Sequence, residues 1–218
     1  MDTETDTINR CPIGEATCTI VDENRKLRAE TQRLHQDLRT DTLTGLFNYR
    51  HFSEALEGEM ERTQRSRVPT SMLLLDIDFF KKVNDTWGHE IGNQALQHLA
   101  ALLTQQIRKI DIACRYGGEE FTVILPSTPL YLAMEVAERL RQTIENTPLE
   151  IESSNLTLTV SIGVESYRAD MQLSRDEFVH LTDGYLYQAK QDGRNRVCGP
   201  ALKEATEVTA DEKAALFS

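Results

Sequence analysis

The segment Arg115-Tyr116-Gly117-Gly118-Glu119-Glu120-Phe121 limits the fold more than any other part of the chain. Ile112, Cys114 and Tyr116 alternate with other residues before the turn, and Phe121, Val123 and Leu125 do so after it. Two such runs around paired glycines specify a β-hairpin, with the glycines where the chain reverses. Glycine also lets a ligand approach the backbone closely. A turn carrying Glu119 and Glu120 is then a candidate site for a cation or a phosphate-bound metal. A surface hairpin with solvated glutamates is the alternative.

An upstream segment favours the first reading. The apolar run 72–75 ends abruptly in Asp76 and Asp78, the pattern of a buried central strand. Carboxylates at the end of such a strand sit at the sheet rim, where α/β folds place ligands. If the strand is a neighbour of the hairpin, oxygen ligands converge as Mg²⁺ requires, with phosphates filling the remaining positions.

Composition removes other classes. The chain has 218 residues, 39% hydrophobic and 27% charged, with a net charge of −11. That is enough for one domain with appendages and is globular in composition. The negative charge argues against a nucleic acid as main partner. No apolar run approaches the roughly 20 residues of a membrane helix. The acidic N-terminus lacks the features of a signal peptide. The expectation is a cytoplasmic protein without a membrane partner. Cys114 reads as a core residue. Cys11 and Cys18 stand in a polar leader without a partner pair at metal-site spacing, which leaves a thiol sensor or an intermolecular disulfide open.

The pattern predicts a helix over 20–39. Ile20, Leu27 and Leu34 recur every seven residues, with Asn24, Thr31 and Leu38 at the other heptad position. This is a short coiled-coil seam with a polar core residue that selects register, or an amphipathic helix packed on its own domain. Asn48 caps a helix carrying Phe52, Leu56 and Met60. A strand covers 71–76, and a long helix begins after Gly88. Beyond the hairpin come a helix over 130–145 and a strand through Leu156, Leu158, Val160, Ile162 and Val164, covered on one face. Ser174 and Glu177 form a capping box opening the next helix, which Gly193 ends. A short last strand lies at 196–198. The expected class is α/β with a mixed, largely antiparallel central sheet flanked by helices. The expected division is a leader and dimerisation or signalling helix at 1–40, a catalytic domain at 41–199 and a polar tail at 200–218.

These residues carry a signature. Gly117-Gly118-Glu119-Glu120-Phe121 resembles the defining motif of GGDEF-domain diguanylate cyclases. So do Asp41-x-Leu43-Thr44-Gly45-Leu46-x-Asn48, Asp76-Ile77-Asp78-x-Phe80-Lys81-x-x-Asn84-Asp85, Gly88-His89 and Ala189-Lys190-x-x-Gly193-Arg194-Asn195, in the same order. The resemblance implies a palm-like nucleotidyl-cyclase fold. It implies condensation of two GTP into cyclic di-GMP with release of two pyrophosphates, by a homodimer that uses Mg²⁺ or Mn²⁺. A two-fold product suits a two-fold pair of half-sites, and the 20–38 seam would raise the local concentration of the second domain.

The resemblance assigns Mg²⁺ to Asp76, the Ile77 carbonyl and Glu119. Glu119 is also the candidate acceptor of the 3′-hydroxyl proton, and Glu120 assists with metal or is structural. The backbone amides of Phe79 and Phe80, with Lys81, Lys190 and Arg194, are implied to hold phosphates, and Lys81 is also implied as a catalytic residue that meets the developing charge. Asn84 reads the guanine edge, and His89 contacts the nucleotide or is structural. Arg108-x-x-Asp111 matches the family's inhibitory site for cyclic di-GMP. One departure stands out: the family shows Gly-Asp where this chain has Gly92-Asn93. Its aspartate accepts two hydrogen bonds from guanine, whereas asparagine offers one acceptor and one donor. Loss of one such bond costs about 1–3 kcal/mol. Two alternatives follow: a catalytically weak domain that binds cyclic di-GMP, or a cyclase with relaxed purine specificity.

Overall fold

A computed structural model of the chain describes residues 22–27, 39–151 and 154–201. Eleven named elements follow in order: α1 (Tyr49–Ser66), β1 (Thr70–Ile77), α2 (Phe80–Gln106), β2 (Ile112–Gly117), β3 (Glu120–Leu125), α3 (Leu130–Asn146), β4 (Leu149–Ile151), β5 (Ser154–Leu156), β6 (Val160–Tyr167), α4 (Arg175–Gln191) and β7 (Val197–Cys198). Five strands form one sheet in the order β2-β3-β1-β6-β7. All pairs are antiparallel except β6 with β7. The expected mixed, mainly antiparallel sheet flanked by helices is what the chain forms.

β1 is central and buried along its whole length. Its alternation splits the core in two. Leu73, Leu75 and Ile77 join side chains of α2 and α3 on one face. Met72 packs on the other face with Phe52, Leu56 and Met60 of α1 and Phe178 of α4. Burying large apolar side chains on both faces stabilises the sheet by about 1.5–3 kcal/mol each, and it sets the register, because a one-residue slip would exchange the faces.

Local signals account for several boundaries. Asn48 accepts a hydrogen bond from the His51 amide at 3.1 Å and opens α1. Ser174 and Glu177 form the complete capping box of α4. Gly118, with φ +52, sits in the β2–β3 turn, a conformation that favours glycine.

Three expectations are corrected. The long helix does not begin after Gly88. It runs from Phe80 and kinks at Gly88, whose φ of 82 and ψ of 163 are not helical. The strand expected through Leu156 to Val164 is interrupted after β5 and resumes as β6, which is buried on both faces rather than one. The cause is Gly163: a Cβ there would collide with the α4 backbone at Thr182 and Leu186, so α4 lies directly on the strand. The small β4–β5 hairpin was not expected. Of the helix predicted over 20–39, residues 22–27 are helical, and Leu27 is exposed. Ile20, Thr31, Leu34 and Leu38 lie outside the described residues, as do Cys11, Cys18 and the tail from 202.

Candidate functional site

The sheet joins the two acidic segments. β1 and β3 are antiparallel neighbours, and Asp76 lies directly opposite Glu120. The Ile77 amide donates to the Glu119 carbonyl at 3.4 Å. The strand end and the hairpin turn therefore form one rim. Arg115 braces that turn: its guanidinium donates to the Gly118 carbonyl at 3.0 and 2.8 Å. The same guanidinium grips both Asp41 carboxylate oxygens at 3.2 Å. Burial pushes the Asp41 carboxyl up, but hydrogen bonds from Thr44 and the Arg115 charge outweigh it and hold the group below its usual range. The sequence contained Asp41 and Arg115 inside its motifs, but their partnership spans 74 residues and has no local signal.

Asp76 is buried, and its carboxyl is pushed above the usual range. Burial is the main cause, and the nearby Glu119 and Asp78 charges add to it; Lys190 opposes. Lys190, in the last turn of α4, reaches Asp76 Oδ2 with its ammonium at 2.7 Å. Glu120 is likewise pushed up, first by burial and then by Asp76. This rim is thus a concentration of negative charge that one lysine partly offsets.

Among the described residues, no group of three or more His, Cys, Asp or Glu could by itself hold a metal ion. Asp76, the Ile77 carbonyl and Glu119 are instead a partial oxygen set. That suits Mg²⁺, which takes one or two carboxylates and completes its shell with water and phosphate. The crowded, half-neutralised Asp76 is the observation that fits such an ion.

Groups with the chemistry to hold an anion follow β1 directly and close α4. Phe79 has φ +57 and precedes α2, so the first α2 amides, including that of Phe80, end a helix without intrahelical partners. Helix N-termini of this kind attract phosphates. Lys81 is exposed in that first turn. The Arg194 guanidinium stacks 4.5 Å over the Phe79 ring. Asn84 packs against Gly92, where a Cβ would collide with its side-chain amide. Asn84 therefore bridges the kink, and the neighbouring Asn93 is exposed next to it. His89 is exposed four residues before Asn93, on the same helix face.

Arg108 and Asp111 lie elsewhere. They follow the far end of α2 and precede β2, which separates them from the hairpin turn by roughly 20 Å of strand. Asp111 meets Arg108 through the backbone. Its Oδ2 accepts from the Arg108 backbone amide at 2.8 Å, while its buried Oδ1 has no hydrogen-bond partner among the described residues. Both residues line a cavity of about 300 Å³ with Leu46, Phe47 and Ile107.

Comparisons with known proteins agree on one kinship. The family model described as "Diguanylate cyclase, GGDEF domain" matches residues 38–196. Response regulator PleD of Caulobacter vibrioides is 43% identical over 164 residues, covering 74% of this chain and 36% of that protein. Diguanylate cyclase A of Treponema denticola is 45% identical over 127 residues, covering 58% and 34%. The crystal structure of the coiled coil and GGDEF domain of DgcB from Caulobacter crescentus, in complex with c-di-GMP, matches with a TM-score of 0.77 at 30% identity. It covers 82% of this chain and 94% of that one. The chain spans about a third of the length of these curated relatives.

Proposed function

This chain belongs to the diguanylate cyclase GGDEF-domain family, and from that premise we propose that it condenses two GTP into cyclic di-GMP. The observation that carries the reading is the rim where Asp76 faces Glu120 and holds Lys190 at 2.7 Å. Acidic ligands for a metal and basic ligands for phosphates meet there on three separate elements.

In each half-reaction the ribose 3′-oxygen of one GTP attacks the α-phosphorus of the other. A 3′-O–P bond forms, the bond to the pyrophosphate breaks, and the hydroxyl proton passes to Glu119 or to water. Asp76, the Ile77 carbonyl and Glu119 would hold Mg²⁺, which would supply charge stabilisation on the phosphoryl oxygens. Lys190 exchanges Asp76 for phosphate when the nucleotide binds. Lys81, Arg194 and the Phe79 and Phe80 amides hold the triphosphate, so that positioning supplies much of the remaining acceleration. Asn84 takes the guanine edge beside Asn93, with His89 on the same helix face. Glu120 assists with the metal or supports the turn.

Two copies of the domain, 41–199, act face to face, and the helix beginning in the leader brings them together. Product inhibition acts at Arg108 and Asp111. The unpartnered Asp111 Oδ1 beside a cavity supports a ligand with hydrogen-bond donors, and guanine has them. Arg108→Ala removes the decline of rate as product accumulates and leaves the initial rate within about twofold; an unchanged decline counts against the site.

A second reading has a specific observation behind it. Asn93 cannot present two acceptors to guanine, which supports a weak or purine-tolerant enzyme. The deciding experiment incubates the chain with Mg²⁺ and GTP, ATP or both, follows pyrophosphate, and resolves products by mass. Cyclic di-GMP with two pyrophosphates supports the cyclase. Mixed adenine–guanine products support relaxed specificity. No turnover with retained cyclic di-GMP binding supports the binding module.

A further inference from the structure

The segment after α4 is held in an uncommon backbone shape. Gly193, Arg194 and Asn195 have φ of +112, +64 and +45 in succession. A non-glycine residue with positive φ is strained and persists only where its surroundings over-determine it. Here the surroundings are specific, and they converge on Asn195.

Its backbone amide donates to Asp78 Oδ2 at 3.0 Å, which ties the loop to the end of β1. Asp78 is itself fixed, accepting from Thr159 Oγ1 at 2.8 Å and Ser161 Oγ at 2.6 Å. The Asn195 side chain faces α3. Its Nδ2 donates to Glu145 Oε1 at 2.7 Å, and its Oδ1 accepts from Arg141 Nη1 at 2.7 Å. Arg141 also donates to Glu145 Oε2 at 2.7 Å and to Glu138, so the acceptor and donor that Asn195 meets are locked to each other. Only a side chain with both a donor and an acceptor satisfies this pair. Aspartate would place a carboxylate against Glu145, and an aliphatic residue would leave both groups unmet.

The residue before this latch is Arg194. Its amide donates to the Ala189 carbonyl at 2.9 Å, and its carbonyl accepts from Arg196 Nε at 3.1 Å. With its backbone pinned on both sides, the guanidinium lies over Phe79 at the start of α2. A free arginine side chain samples many rotamers; here the stacking on Phe79 removes much of that freedom before any ligand arrives.

We propose that Asn195, clamped between Asp78 just past β1 and the Arg141–Glu145 pair of α3, is a positioning residue that presents the Arg194 guanidinium to the nucleotide phosphates. The assignment rests on the reading that Arg194 binds phosphate. It predicts that α3, which contributes no ligand to the site, controls triphosphate affinity through one side chain.

The test is a double-mutant cycle read by calorimetric titration of the full chain with a GTP analogue bearing a methylene bridge between the α- and β-phosphorus, in Mg²⁺. Asn195→Ala weakens binding about tenfold. Asn195→Gly, which tolerates the positive φ but lacks the side chain, does the same. In an Arg194→Ala background, Asn195→Ala adds nothing, because its effect runs through the guanidinium. Additive losses in the double variant, or wild-type affinity in Asn195→Ala and Asn195→Gly, overturn the proposal. An Arg194→Ala variant that binds as tightly as wild type fails differently: it removes the phosphate reading of Arg194, and the inference falls with it. Arg141→Met, whose loop sequence is intact, repeats the cycle from α3. It should weaken binding in the wild-type background and not in Arg194→Ala, whatever the folding behaviour of the loop variants.

Discussion

Asp76 and Asp78 stand two residues apart at the end of the same central strand, and both are buried, at 8% and 6% exposure. Their surroundings differ. Asp78 accepts hydrogen bonds from Thr159, Ser161 and the Asn195 amide. Asp76, among the described residues, is met by one flexible cation, the Lys190 ammonium. A carboxylate saturated by fixed donors is structural, because it has no remaining need of a ligand. A carboxylate balanced by a single mobile lysine, with Glu119 and Asp78 pressing on it, gains from exchanging that lysine for a divalent ion. The same residue type on one strand end is thus divided between architecture and chemistry by what stands opposite.

The sharpest way to break this contrast is to neutralise Asp76. Asp76→Asn removes a metal ligand and lowers Mg²⁺-dependent turnover by about 10²–10⁴-fold, the loss of several kcal/mol of charge stabilisation. The thermal midpoint moves little, because the buried charge it loses was itself unfavourable. Turnover kept within tenfold of wild type would make Asp76 structural and erase the distinction.

Asp78→Ala should behave in the opposite way. It strands the Thr159 and Ser161 hydroxyls and the Asn195 amide, each having lost a bond to a charged acceptor. The expected destabilisation is about 3–5 kcal/mol, or roughly 10 °C in melting temperature for a chain of this size. A melting temperature unchanged within 2 °C or so would show that those three donors find other partners and that the saturation is not energetic.

The sequence carried much of this site, for physical reasons. Alternation around Gly117-Gly118 encodes the hairpin, because side chains on a strand alternate faces. The run into Asp76 encodes the strand end. The Ser174–Glu177 capping box is local by nature. What escaped was either non-local or ambiguous. Asp76 and Asp78 look alike in sequence, since the donors that separate them come from β6, the segment before it and a loop 117 residues away. The first turns of α2 were lost because Gly88 reads as a helix break, whereas the helix bends there and continues. β6 was read as covered on one face because its glycine looked like a polar-side position. Gly163 is small so that a helix can lie on it.

The smallest effect, and the finest discriminator, is the pH dependence of stability without divalent ions. Burial, with Glu119 and Asp78 nearby, pushes the Asp76 carboxyl above its ordinary 3.8 in the folded chain. Above pH 3.8 the native state therefore holds this proton more readily than the unfolded chain does. Stability then falls as pH rises, because the folded state binds the extra proton. The contribution is fully present below the unfolded value and lost as pH passes the folded one. Asp76→Asn lacks this group, so wild type should lose stability relative to the variant as pH rises above 3.8. Urea midpoints measured across that range check it. A difference that instead grows in favour of wild type with rising pH would mean that Lys190 holds Asp76 ionised as firmly as fixed donors hold a structural carboxylate. The two aspartates would then be alike, and the exchange of Lys190 for a metal ion would lose its driving force.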